Sequence, residues 1–247
     1  MSISRNLFNE IRKKHGDSSS WAIWQEPDLE RVKYKLSFET TNKLRIMGIE
    51  APFDILGTGT SSGMKDDIFQ DVSDEVLNQL NPKYILVALN FSKPCKKCGE
   101  PSVLNEQCDN HKVVETLMNF HSGDGNIGKL RYAVRKSPLS GAYITDIIKN
   151  LPNAKSKEVI KKCRNDPSFE KENVDLFIEE ISDLKVENQV IIALGEYVGE
   201  ILTRHNIKHT KIAHYSSRYS CGQGLVGLEY KKGVLKILVH ELGFQPW

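Results

Sequence analysis

The chain is 247 residues long, 39% apolar and 27% charged, the balance of a globular protein with material for one sizeable core, so a single domain over residues 1–247 is expected. Its 34 basic and 32 acidic side chains leave a net charge of +2; bulk charge therefore does not mark it as a nucleic-acid binder and leaves only a local basic patch open. No apolar stretch approaches the roughly 20 residues that span a bilayer, and the N-terminus lacks a signal-peptide core, so no membrane partner and a cytoplasmic location are expected. Five cysteines, an odd number with three clustered, argue against a secreted disulfide framework.

In chain order, residues 3–14 carry Ile3, Leu7, Phe8 and Ile11 on one face and Arg5, Arg12, Lys13 and Lys14 on the other, which predicts an amphipathic helix packed on the rest of the fold. Trp21-Ala22-Ile23-Trp24 reads as a short strand. Residues 51–68 hold Gly57, Gly59 and Gly63 among Ser and Thr and read as a loop. They form no P-loop, because Lys65 follows Met64 where a Gly-Lys-Ser/Thr ending is required. Residues 72–80 predict a helix. It leads into Tyr84-Ile85-Leu86-Val87-Ala88-Leu89, an uncharged run that ends abruptly on the carboxamide of Asn90. A run of this kind is a strand buried on both faces, inside a parallel sheet, and open α/β sheets bind ligands beyond the carboxyl ends of such strands.

Cys95 and Cys98, then Cys108 and His111, form two pairs with two residues inside each. That is the spacing with which two tight turns present four donors to one tetrahedral zinc, and four protein ligands leave no open position, so the expected role is structural. An iron–sulfur cluster is the minor alternative, disfavoured by the histidine, and a redox Cys-x-x-Cys is disfavoured by the second pair. The pairs place a zinc-binding insert at residues 93–112. Cys163 and Cys221 have no such partners.

Residues 123–128 spell a literal Gly-x-Gly-x-x-Gly, with Gly123, Gly125 and Gly128. A helix pattern follows at Ile127, Leu130, Ala133 and Val134, and then a strand, residues 141–146, that ends in Asp146. A nicotinamide-dependent oxidoreductase built on Gly123–Gly128 is therefore one reading. The fingerprint needs a strand before the first glycine, and Val114, Leu117 and Met118 keep helical spacing there instead. Residues 155–162, 173–184 and 195–205 carry helical periodicity. Residues 189–195 repeat the form of the buried run, and 210–216 predict a strand that delivers His214. At the C-terminus, residues 225–230 and 234–239, separated by Lys231-Lys232-Gly233, read as a hairpin or strand pair at the sheet edge. Four strands that each deliver a polar group to one edge would bring Asn90, Asp146 and His214 into one pocket.

Ala88-Leu89-Asn90-Phe91-Ser92, Ala142-Tyr143-Ile144-Thr145-Asp146-Ile147-Ile148-Lys149, Ala193-Leu194-Gly195 and His214-Tyr215-Ser216-Ser217 resemble, in order and spacing, the motifs of the uracil-DNA glycosylase superfamily. The similarity covers residues 84–217. Asn90 stands where the mismatch-specific branch has the Asn of a Gly-Ile-Asn-Pro-Gly motif, with Ala88, Phe91 and Ser92 departing from it. His214 and Ser216 match a His-Pro-Ser motif in which Tyr215 replaces Pro. The zinc-like insert is not general to that superfamily.

The resemblance implies a three-layer α/β/α sandwich around a mainly parallel sheet and a monofunctional DNA glycosylase that needs no organic cofactor and acts on DNA as a monomer. It implies Asn90 and His214 as catalytic residues, and Phe91, Phe120 and Asp146 around the flipped base. Ser216, Ser217 and Arg218 are implied at the DNA phosphates. Taken singly, Asn90 also suits a turn, His214 a strand end, and Phe91 and Phe120 a core. A nucleic-acid-binding protein that keeps the fold without turnover is the non-enzymatic alternative. Acidic side chains pair with the N4 amino group of cytosine, so Asp146 points to a cytosine-type base carrying a modification, as in some phage DNA, and to a role in antiviral defence.

Overall fold

The computed structural model describes residues 3–23, 69, 71–90, 117, 120, 127–135, 137–151, 155–216 and 226–243. Its centre is a five-stranded sheet made of β1 (Ser19–Trp21), β2 (Asn81–Asn90), β3 (Ala142–Ile148), β4 (Val190–Leu194) and β5 (Thr210–Ile212). The order across the sheet is β1-β3-β2-β4-β5. β3, β2, β4 and β5 run parallel, and only the edge strand β1 is antiparallel, pairing Ser19 with Thr145 and Trp21 with Tyr143. The unbroken apolar runs of β2 and β4 take the interior positions, as their composition demands. From β2 the chain builds one way, to β3, and then crosses back to place β4 on the other side. That reversal leaves a crevice beyond the carboxyl ends of β2 and β4.

Helices lie on both faces, and side chains alternate between them with the two-residue period of a strand. Ile85, Val87 and Leu89 of β2, Tyr143 and Ile147 of β3, and Ile191 and Ala193 of β4 face one apolar cluster. Helices α1 (Arg5–His15), α2 (Asp74–Gln79), α4 (Ser156–Asn165), α5 (Pro167–Asp183) and α6 (Glu196–Arg204) complete it with residues such as Phe8, Leu77, Val159, Phe177 and Ile201. Leu86 and Ala88, Ala142 and Ile144, Ile192 and Leu194, and Ile212 face the other cluster. There α3 (Ile127–Val134) contributes Leu130, Ala133 and Val134, and α7 (Val226–Leu242) contributes Tyr230, Val234 and Leu238.

Local chemistry sets the helix boundaries. Ser4, Ser73 and Asp166 cap α1, α2 and α5 by accepting from Leu7 N, Val76 N and Phe169 N, and Pro167 opens α5 where its missing N–H costs nothing. The last turn of α1 holds Arg12, Lys13, Lys14 and His15 against its negative end. At Gly141, φ is +78° and an added Cβ would stand 1.9 Å from the Gln79 carbonyl oxygen, so only glycine lets the end of α2 close on the start of β3.

The C-terminal expectation is corrected. Residues 226–242 form one helix, α7, and no strand pair. Tyr230, Val234 and Leu238, four residues apart, are buried together, so the helical period outweighs the β-branched content that suggested strands. Boundaries shift elsewhere: the first strand is Ser19–Trp21, β3 runs on to Ile148, and α5 begins at Pro167. Residues 24–68, including the glycine-rich stretch, lie outside the described residues, as does the insert at 93–112. Among the described residues no helix is long and apolar enough to cross a membrane.

Candidate active site

Asn90 is the last residue of β2 and is half-buried. It continues the row Leu86, Ala88 and so belongs to the α3/α7 face of the sheet. Asp146 sits in the neighbouring strand, level with Ala88, one step below Asn90, which pairs with Ile148. It alternates with Tyr143 and Thr145 and follows Ile144, placing it on that same face, where it is 1% exposed. Leu194 of β4 pairs with Ile212 of β5, and His214 lies two residues beyond, at the level of Asn90. Neighbouring strands are about 4.8 Å apart, so Asn90 and His214 stand roughly 10 Å apart across the crevice, with the end of β4 between them.

The setting of His214 is built by its neighbours. Gly195 closes β4 at φ +101°, its N–H donates to the Ile212 carbonyl at 2.8 Å, and a Cβ there would lie 3.2 Å from His214 Cβ. Glycine therefore lets the ends of β4 and β5 meet. Tyr230 of α7 donates its hydroxyl to the Ala213 carbonyl at 2.9 Å, and the Tyr215 ring stacks on the imidazole with centroids 4.2 Å apart. The Ser216 backbone N–H donates to His214 Nδ1 at 3.1 Å, with Ser216 Oγ 2.7 Å from the same nitrogen. Nδ1 is thus the acceptor, and the proton of the neutral ring rides on Nε2.

Burial, and then the positive charge of Lys129, push the His214 pKa down to about 4 from its ordinary 6.5. The unfolded chain takes up this proton around 6.5 and the folded chain only near 4. The contribution is thus fully present above pH 6.5 and is lost as the pH falls toward 4.

Lys129 escaped the sequence reading. It lies in the first turns of α3 and is 6% exposed. Its signal was available, because Lys129 precedes the buried Ala133 by four residues and therefore sits in the apolar stripe. Also missed was a polar cluster on the opposite face of β3. Glu180 of α5 is fully buried and accepts from the Tyr143 hydroxyl at 2.6 Å and the Thr145 hydroxyl at 2.9 Å. Lys149, just past β3, pairs with Glu180 and donates to Thr145 Oγ1 at 2.9 Å, the Asp146 carbonyl at 2.8 Å and Ser18 Oγ at 3.3 Å. The cluster ties α5, β3 and the chain before β1 together directly behind Asp146. Burial and the adjoining Glu180 raise the Tyr143 pKa well above the ordinary value, so its hydroxyl stays a donor.

Of the other expected site residues, Phe120 is 5% exposed in the α3/α7-face cluster with Ala88 and Leu194, a core position. Ser216 is exposed beside His214. Phe91, Ser217, Arg218, Cys95, Cys98, Cys108 and His111 lie outside the described residues, as do Gly123 and Gly125; Gly128 is the second residue of α3. Among the described residues no group of three or more His, Cys, Asp or Glu side chains is placed to hold a metal. An open groove of about 510 Å³ lies between α6, β5 and the end of α7, lined by Glu196, Thr203, His209, Lys211 and Glu241 among others. It contains none of the expected site residues, and its Lys211–Glu196 pair is a solvated surface contact.

The arrangement defines an α/β domain with its polar groups gathered at the carboxyl edge of a mainly parallel sheet. No family model matches the chain, and no curated protein or solved structure is significantly similar to it.

Proposed function

We propose that the protein is a DNA glycosylase of the uracil-DNA glycosylase type, which turns a base out of DNA, hydrolyses its bond to the sugar and leaves an abasic site. The observation that carries this reading is the imidazole of His214, held neutral with Nε2–H as donor at the level of Asn90 on the same sheet edge. Cleavage of a base–sugar bond passes through an oxocarbenium-like sugar and a base that gathers negative charge. It therefore needs a donor at the base and a placed water at the sugar more than a strong general base. Nε2–H of His214 supplies the donor, and the Asn90 carboxamide orients the water. Phe91 borders the flipped base, while Phe120 belongs to the core cluster. Ser216, with Ser217 and Arg218, contacts phosphates and sets register without reading sequence.

The base is a modified cytosine. As a carboxylate, Asp146 offers acceptors only, so it repels the O4 of uracil and accepts from the N4 amino group of cytosine. Release of ordinary cytosine would damage the host's own DNA, so the pocket demands a substituent, which suits defence against phages with modified cytosine. DNAs carrying uracil, cytosine or a bulky modified cytosine, treated with the protein and then alkali, test both parts. Release of the modified cytosine is expected, with a shift toward uracil in Asp146→Asn. Uracil preference in the wild type overturns the cytosine assignment, and no release from any DNA overturns the glycosylase.

Cys95, Cys98, Cys108 and His111 hold one structural zinc in this reading. Elemental analysis should return about one zinc per chain, and Cys→Ser at any of the three cysteines should release it and loosen the insert, since such binding energy is folding energy. A folded wild-type chain without zinc counts against the site.

A further inference from the structure

We propose that α4 carries a DNA-backbone contact surface, a stripe of Lys157, Lys161 and Arg164 that holds phosphates of the strand outside the crevice. The inference deepens the glycosylase reading and rests on it for the choice of DNA as the polyanion.

The place of α4 follows from its neighbours. The Tyr197 hydroxyl donates to the Ile160 carbonyl at 3.4 Å, and Tyr197 is the second residue of α6, two beyond the Gly195 that stands against His214. Val159 and Cys163 of α4 enter the cluster that holds Leu89, the residue before Asn90. The middle of α4 therefore lies beside the carboxyl edge of the sheet, on the face across from α3 and α7.

The net charge of +2 for the whole chain conceals an uneven distribution. Along α4 and the residue before it, Lys155, Lys157, Lys161, Lys162 and Arg164 stand against Glu158 alone. Two of these cations are neutralised locally, Lys155 by Glu158 at 3.4 Å and Lys162 by Asp166 at 2.7 Å. Lys157 and Lys161 are exposed and enter no ion pair among the described residues. The Arg164 guanidinium lies 5.5 Å from the centre of the Tyr197 ring, a contact that orients the cation without neutralising it.

Spacings of four and three residues put Lys157, Lys161 and Arg164 on one side of the helix, away from Val159 and Cys163, in a row about 10 Å long. Like charges at i, i+4 destabilise a helix, so the row costs the free protein something that a bound polyanion removes. Each strand of a duplex presents a phosphate about every 3.4 Å along the axis, so such a row meets several in succession. These contacts fix register without reading bases. Every exposed position of α4 is polar, so this face offers nothing for a bilayer to bury.

The test is the salt dependence of binding to a duplex of ordinary bases, read by fluorescence anisotropy with the full chain. Lys157→Gln with Lys161→Gln is expected to weaken binding alike on unrelated sequences and to lower the slope of log affinity against log salt by about two, one per phosphate contact. Lys157→Arg with Lys161→Arg, which keeps both charges, should bind as wild type. Lys83→Gln with Lys208→Gln, which removes two exposed lysines near the amino ends of β2 and β5, should keep the wild-type slope. Thermal midpoints show that each variant is folded; if the first pair is not, Arg164→Gln carries the comparison with an expected fall of about one. An unchanged slope in the folded variant, or a loss seen only with anionic phospholipid vesicles, overturns the α4 surface. A lowered slope with no base released from any DNA overturns the glycosylase reading and leaves the DNA surface in place.

Discussion

Asn90→Ala and His214→Ala are each expected to lower base release on the order of 100-fold or more while the protein stays folded. The magnitude is that of removing a preorganised group that acts mainly in the transition state. Neither side chain is central to the core: Asn90 is half-buried at the end of its strand, and His214 lies beyond the end of β5. What His214→Ala removes structurally is the Tyr215 stack and the two Ser216 contacts at Nδ1, from its N–H and its hydroxyl, on the order of 1 kcal/mol each. Single-turnover rates set beside denaturation midpoints separate the two effects. In the proposed mechanism both residues serve one transition state, so the double variant should lose less than the product of the single losses. Wild-type rates in both single variants would remove Asn90 and His214 from the mechanism.

Glu180→Ala should destabilise the fold by about 3–5 kcal/mol, the cost of stranding a buried charge by deleting its partner. Lys149 is 12% exposed and Glu180 not at all, and the deletion also strands the hydroxyls of Tyr143 and Thr145. A buried pair replaced as a pair by apolar residues of similar volume often loses little. Glu180→Leu with Lys149→Met should therefore recover most of the loss, limited by Tyr143, whose hydroxyl keeps no carboxylate to donate to. Urea titrations read this directly as a lowered midpoint in the single variant and a partial return in the double one. A single variant with the wild-type midpoint would show that the cluster contributes little. Because Lys149 also holds the Asp146 carbonyl, the double variant should loosen base preference even where stability returns.

Much of the fold was legible from neighbours along the chain. The uncharged runs ending at Asn90 and Leu194 have to be interior strands, and amphipathic stripes such as Val198, Ile201 and Leu202 have to be helices lying on them. That Asn90, Asp146 and His214 come near the carboxyl ends of parallel strands also follows from order alone, since each comes late in or just after its run. The C-terminal segment misled because branched residues and a glycine mimic a strand pair over a short window, while the spacing of Tyr230, Val234 and Leu238 extends over more than two turns of helix.

Only the tertiary structure decided the order β1-β3-β2-β4-β5, which puts the end of β4 between Asn90 and His214 and makes the crevice. It alone brought Lys129 to bear on His214 from 85 positions earlier in the chain, set Gly195 against that histidine, and gathered Tyr143, Thr145, Lys149 and Glu180 behind Asp146. The physical reason is the same in each case. Periodicity records whether a side chain is buried, which is a property of one segment. Which buried groups meet depends on how faces of distant segments pack, and that sets the protonation of His214 and the anchoring of Asp146.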